Sequence, residues 1–194
     1  GDVVVRHAVF LVFPDAALFR PRQGIQRHGT LGAPVLAALG TVSFTRSGRF
    51  VVHASPPRAA GTEFFLADYD PVVAARFEGR PLRLVVDTGA SETTFWPLFE
   101  AECRDVLPPG AARVEREVGS VGRVRRLPML EVPGMAVDLG DARVALPGRR
   151  LVLLEATTDD HRMFHGSLGQ DVYRLRERLT ISYTTMQVAI GPEG

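Results

Sequence analysis

The stretch Leu84-Val85-Val86-Asp87-Thr88-Gly89-Ala90-Ser91 constrains this chain more than any other. Its apolar, partly β-branched start, Leu84 to Val86, reads as a buried strand. The run drives straight into an acid, a hydroxyl residue and a glycine, and Gly89 signals a sharp turn. Asp87 is therefore expected at the end of a buried strand. A carboxylate there is costly unless hydrogen bonds are supplied to it or it does chemistry. Asp-Thr-Gly is also an ordinary turn tripeptide, so its meaning depends on what the rest of the chain places around it.

At 194 residues the chain can form one or two domains, and 45% hydrophobic with 23% charged residues is ordinary for a globular protein. A net charge of +1 leaves no electrostatic footprint for nucleic acid. All 23 basic residues are arginine, and Lys and Asn are absent, which reads as coding bias rather than mechanism. Charge is uneven: residues 1–60 carry seven Arg against Asp2 and Asp15, net +5, and residues 61–194 carry 16 Arg against 20 acids, net −4. Opposite signs suit two parts that pack together. Cys103 is the single cysteine, so no internal disulfide forms. His161 and His165 are four apart, but Gly166 follows at once and no third ligand is evident, so neither metal nor cofactor is expected. No apolar run approaches membrane-spanning length. The chain opens on Gly1, which leaves room for an upstream segment or a removed signal peptide, and with the latter a periplasmic or secreted location.

Along the chain, residues 3–13 read as one strand or two short ones, and residues 20–29 as a polar loop. A short helix is expected over 34–39, then a hairpin from strands 42–44 and 50–53, then a linker at Ser55-Pro56-Pro57. Strands are expected at 64–67, 72–77 and 82–86, with turns at Asp70-Pro71 and Glu78-Gly79. A short helix follows at 97–103. Residues 113–118 and 123–127 flank Gly119-Ser120-Val121-Gly122, a hairpin with a glycine-rich, mobile tip. Strands at 130–139, 143–146 and 150–154, a polar loop at 157–165, a helix at 170–176 and a hairpin of 179–183 with 187–190 complete the chain. Many short strands and few helices predict a mainly β fold.

An internal repeat is visible. His28-Gly29-Thr30-Leu31-Gly32 parallels His165-Gly166-Ser167-Leu168-Gly169, and each copy is followed by a short helix and a hairpin. Val9 to Val12, before the first copy, also matches Leu151 to Leu154 before the second. Residues 1–54 thus read as the back half of a unit, 55–62 as a linker, and 63–194 as the whole unit. A counterpart of Asp87 would lie about 50 residues before Gly1.

A buried strand ending in Asp87-Thr88-Gly89, a glycine-tipped hairpin, and then Gly166-Ser167-Leu168-Gly169-Gln170-Asp171 with a helix and hairpin follow in fixed order. In this the chain resembles the retropepsin-like aspartic proteases, the clan of pepsin and the retroviral proteases, and most of all its bacterial members. The resemblance covers residues 63–194. It implies an acid-protease barrel and endopeptidase chemistry on a polypeptide substrate. Hydrolysis without metal or covalent nucleophile needs a water between two carboxylates, one ionised to take its proton and one protonated to polarise the carbonyl. Two carboxylates about 3 Å apart cannot both ionise, so they split their titration.

By resemblance, Asp87 is one of the two. Thr88 would reach to the partner loop, Gly89 would let backbone donate to the carboxylate, and Leu168-Gly169 would pack beneath. Gly119, Ser120, Val121 and Gly122 would form a flap that closes on an extended peptide bound as an added strand. Ala90 stands where pepsin-like enzymes carry a hydroxyl, which implies a less acidic pair and activity at mildly acidic to neutral pH. A pH–rate profile peaking below about pH 3 contradicts that expectation. Only one Asp-Thr-Gly is present. Its partner comes from a second subunit, or from an upstream half-domain that completes a bilobal molecule, or is lacking and the domain binds without cleaving. The half-repeat favours the upstream half-domain.

Plainer readings apply to other residues. His28 and His165 read as loop or surface residues, Asp159-Asp160 as a solvated pair, and Asp171 as an early-turn helix acid facing the helix dipole. Trp96 reads as core or pocket wall, and Cys103 as buried and inert.

Overall fold

The computed structural model describes residues 3–6, 8–9, 12, 29–55, 61–120, 123–146, 148–174 and 176–191. It is mainly β, with 47% strand and 17% helix, built as one large mixed sheet with few short helices. Helix α1 (Ala33–Leu39) leads into strands β1 (Thr41–Thr45) and β2 (Phe50–His53). Then come β3 (Thr62–Ala67), β4 (Asp70–Phe77), β5 (Arg80–Val86) and β6 (Thr94–Phe95). Helix α2 (Pro97–Cys103) runs into a 3-10 turn, Arg104–Val106. A long hairpin of β7 (Ala112–Ser120) and β8 (Arg123–Pro133) precedes β9 (Ala136–Leu139), β10 (Ala142–Ala145) and β11 (Arg149–Leu153). Helix α3 (Asp160–Met163), β12 (Gly166–Leu168), α4 (Gln170–Arg174), β13 (Arg178–Ser182) and β14 (Gln187–Ile190) close the chain.

The order across the sheet is β2-β1-β13-β14-β3-β4-β5-β12-β6-β11-β8-β7, with β9 pairing β4 and β10. β5 sits near its middle. Leu82, Leu84 and Val86 enter the main apolar cluster, and Val85 enters a smaller one with Val72, Trp96, Met129, Leu153 and Phe164. A strand covered on both faces reads as a continuous apolar run, as Leu84 to Val86 does. The main cluster also takes in Leu36 and Val42, so α1 and β1 share a core with residues 63–191.

β1 pairs antiparallel with β13, with Thr41 opposite Ser182, Ser43 opposite Thr180 and Thr45 opposite Arg178. Ser43 and Thr180 lie 137 positions apart, the spacing that separates His28 from His165, and their hydroxyls are 2.8 Å apart. Each is the other's equivalent in the repeat. The two β-hairpins are therefore joined about a local two-fold that passes through this pair.

Several expectations change. Of residues 3–13, those described form no strand; Val9 and Val12 are 88% and 93% exposed, so no surface covers their apolar side chains. Most of 20–29, including His28, and the linker residues 56–60 lie outside the described residues. The turn expected at Asp70-Pro71 is at Asp68-Tyr69, where φ values of 46° and 75° make a hairpin turn of the primed type. Pro71 is tolerated next to the start of its strand. The strand expected over 130–139 breaks at Gly134, whose φ of 61° ends the ladder. The tip expected at 119–122 is shorter: Gly119 pairs with Val124 and Ser120 with Arg123. Within 157–165 a helical turn forms, and Phe164 and His165 are buried. His165 is no surface residue: its Nδ1 accepts the Arg83 N–H at 3.0 Å and its Nε2 lies 3.0 Å from Glu102 Oε2.

Candidate active site

Asp87 follows β5 directly. Its backbone N–H donates to the Leu168 carbonyl at 3.0 Å, extending the parallel pairing of β5 with β12. Its Oδ1 accepts the Gly89 N–H at 2.8 Å and the Ala90 N–H at 3.1 Å. Two amide dipoles thus aim at one carboxylate oxygen, orient the group and stabilise its charge. The sequence places Asp87 at the end of a buried strand; the strand is buried, and the Asp87 side chain itself faces solvent.

β12 lies between β5 and β6, parallel to the first and antiparallel to the second. Glycine is required there by close approach. A Cβ on Gly166 would lie 2.5 Å from the Thr94 carbonyl oxygen, and one on Gly169 would lie 2.4 Å from the Glu92 carbonyl carbon. Leu168 is buried below the Asp87 loop.

A second layer ties the loop down. Thr93 is buried, and both its N–H and its hydroxyl donate to Asp171 Oδ1, at 2.9 and 2.8 Å. The Gly169 N–H donates to the Thr93 hydroxyl at 3.1 Å, and Gln170 Nε2 donates to the Thr88 carbonyl at 2.9 Å. Asp171 Oδ2 pairs with buried Arg150. Asp171 is in the first turn of α4 as expected, but Arg150 and Thr93, rather than the helix dipole, are its partners. These contacts cross 21 and 78 positions of sequence, so no local pattern announces them. The one available signal was the polar pair Gln170-Asp171 straight after the repeated Leu-Gly.

Asp87, Thr88 and Gly89 open onto a groove of about 780 Å³. One wall is the front copy: Thr30, Leu31, Gly32, Leu36, Phe44 and Phe50. The other carries Asp68, Asp70, Trp96, Asp160, His161 and Phe164. The His161 ring sits 4.7 Å from the Trp96 ring, and burial holds its pKa below the usual histidine value. Burial pushes the Asp70 carboxyl above its usual range, and the charges of Asp87, Asp160 and Asp68 add to the push. Tyr183, also on the groove, is pushed up to about 12 by burial and by Asp70. Ala90, Leu168 and Gly169 are not among the groove-lining residues, Gly119 and Ser120 are placed only by their pairing with Val124 and Arg123, and Val121 and Gly122 lie outside the described residues.

Cys103 is fully buried and its thiol is pushed up to about 11 by desolvation. Among the described residues no group of His, Cys, Asp and Glu could hold a metal ion, and no helix is long and apolar enough to cross a membrane. No protein-family model and no curated protein matches this chain.

Proposed function

We propose that this chain carries one catalytic half of an aspartic endopeptidase, with a retropepsin-like barrel over residues 63–194. The observation that carries the reading is Asp87 at a groove, its Oδ1 held by the Gly89 and Ala90 amides and its backbone strapped to Leu168. In this reading a water lies between Asp87 and a second aspartate. The ionised member takes the water's proton as oxygen attacks the scissile carbonyl, and the protonated member donates to the developing oxyanion. The peptide lies extended in the groove, and the β7–β8 hairpin folds over it as a flap that excludes water.

The second aspartate is assigned to the same natural polypeptide, in a first lobe about 50 residues upstream of Gly1. The pairing of β1 with β13 supports this over a second subunit, because the β13 edge is already taken by the front copy of the repeat. The test is Asp87→Asn in the complete natural chain. Peptide cleavage should fall about a thousandfold while an unchanged thermal melt reports an intact fold. A wild-type chain that neither cleaves peptides nor binds pepstatin-type inhibitors refutes the reading.

A second reading rests on the single Asp-Thr-Gly in this sequence. Without a partner carboxylate the groove binds peptide or a partner chain and does not hydrolyse it. Peptide binding that is unchanged by Asp87→Asn, with no turnover, selects this alternative.

A further inference from the structure

Beyond Asp87, three more aspartates converge on the groove from separate elements: Asp68 and Asp70 from the β3–β4 turn, and Asp160 from α3. No arginine lines the groove among the described residues. Elsewhere four aspartates are paired with arginine: Asp105 with Arg80, Asp138 with Arg143, Asp159 with Arg162 and Asp171 with Arg150. Among the described residues no cation pairs with Asp68, Asp70, Asp87 or Asp160. In a protein with 23 arginines, the groove is where carboxylates stand together without one.

Register places Asp70 beside Asp87. The β4–β5 ladder ends at Val72 opposite Val85, Asp70 and Asp87 each lie two residues past that pair, and the charge of Asp87 acts on the Asp70 carboxyl. Trp96 and Phe164, largely buried, and the His161 ring, tilted 41° to that of Trp96, line the same groove. Carboxylates beside aromatic rings suit one chemistry, a cationic side chain whose stem lies on the rings and whose head meets the acids.

We propose that the groove selects an extended peptide by an arginine or lysine side chain seated against Asp70, with Asp68 and Asp160 contributing to the field. This rests on the endopeptidase reading, since the groove is the one that Asp87 serves. Asp87 itself must stay free for water, so the cation is held by its neighbours. Burial first, and then the charges of Asp87, Asp160 and Asp68, raise the Asp70 carboxyl, and a cation seated there offsets the second of these causes.

The test uses the complete natural chain and two peptides that differ at one central position, arginine in one and its neutral isostere citrulline in the other. Binding is measured by fluorescence anisotropy of labelled peptide on an Asp87→Asn background, and cleavage on the wild type. The arginine peptide should bind about tenfold more tightly at low salt, the scale of one charge-assisted contact. Asp70→Asn should bring the ratio to about one, and Asp70→Arg should turn the preference to a glutamate peptide. Equal binding of the arginine and citrulline peptides, or a preference that survives Asp70→Asn, overturns the inference. Cleavage of both peptides at equal rates overturns it and leaves the endopeptidase reading standing. A preference in binding with no cleavage upholds it and sinks that reading. No binding and no cleavage of either peptide overturns both.

Discussion

The two copies of the repeat share a sequence pattern and differ in what surrounds it. In the rear copy Leu168 is 3% exposed, and in the front copy Leu31 is 58% exposed. Gly166-Ser167-Leu168 is a strand threaded between β5 and β6, whereas Gly29 to Gly32 forms no strand. A Cβ on Gly169 would strike backbone, while one on Gly32 would meet only Pro34 Cδ at 3.6 Å. Gln170-Asp171, which locks the Asp87 loop, is matched in the front copy by Ala33-Pro34. The hairpins that follow are nevertheless alike, and they pair with each other. A hairpin supplies its own first partner and needs only one neighbour. The Leu-Gly segment becomes a strand only where two other strands flank it.

Substitutions in matched positions can break this comparison. The largest difference is expected for glycine. Gly169→Ala should cost about 5 kcal/mol or prevent folding, because the new Cβ meets carbonyl atoms that cannot step aside. Gly32→Ala should stay within about 1 kcal/mol, the scale of a change at a helix N-cap. Denaturant melts of the two variants decide it, and equal losses would mean that the front copy is packed as tightly as the rear one.

Next comes Asp171→Ala. It leaves Arg150 facing a removed carboxylate and Thr93 without its acceptor, at a cost of about 4 kcal/mol. A urea midpoint close to wild type would show that this buried network contributes little. The smallest contrast is in leucine. Leu168→Ala should cost about 3 kcal/mol, and Leu31→Ala less than about 0.5 kcal/mol. A large loss at Leu31 in the complete natural chain, with a small one in residues 1–194, would sharpen the comparison. It would show that an upstream segment covers Leu31 as β5 and β6 cover Leu168.

Much of the local structure was legible from residues alone. Leu84 to Val86 announced a buried strand, and Pro97 to Cys103 a helix with proline in its first turn. The failures have physical causes. Val3 to Phe13 has the composition of a strand, but its described residues find no partner ladder. Asp70-Pro71 looks like a turn, yet Asp68 and Tyr69 adopt the left-handed conformation and Asp70 joins the strand. His165 looked like a loop residue because its partners Arg83 and Glu102 are 82 and 63 positions away.

The sequence by itself determined that a mainly β chain would carry Asp87 at a strand end, and that its two Leu-Gly segments share a pattern at a spacing of 137 positions. Alternation, turn residues and self-similarity are properties of neighbouring positions. Only the tertiary structure decided that one copy is a buried strand and the other a groove wall. It also decided that Asp171 holds Thr93 and Arg150, and that Ser43 meets Thr180 on a local two-fold. Those contacts join positions far apart in the chain, and what a segment buries depends on which strands lie beside it.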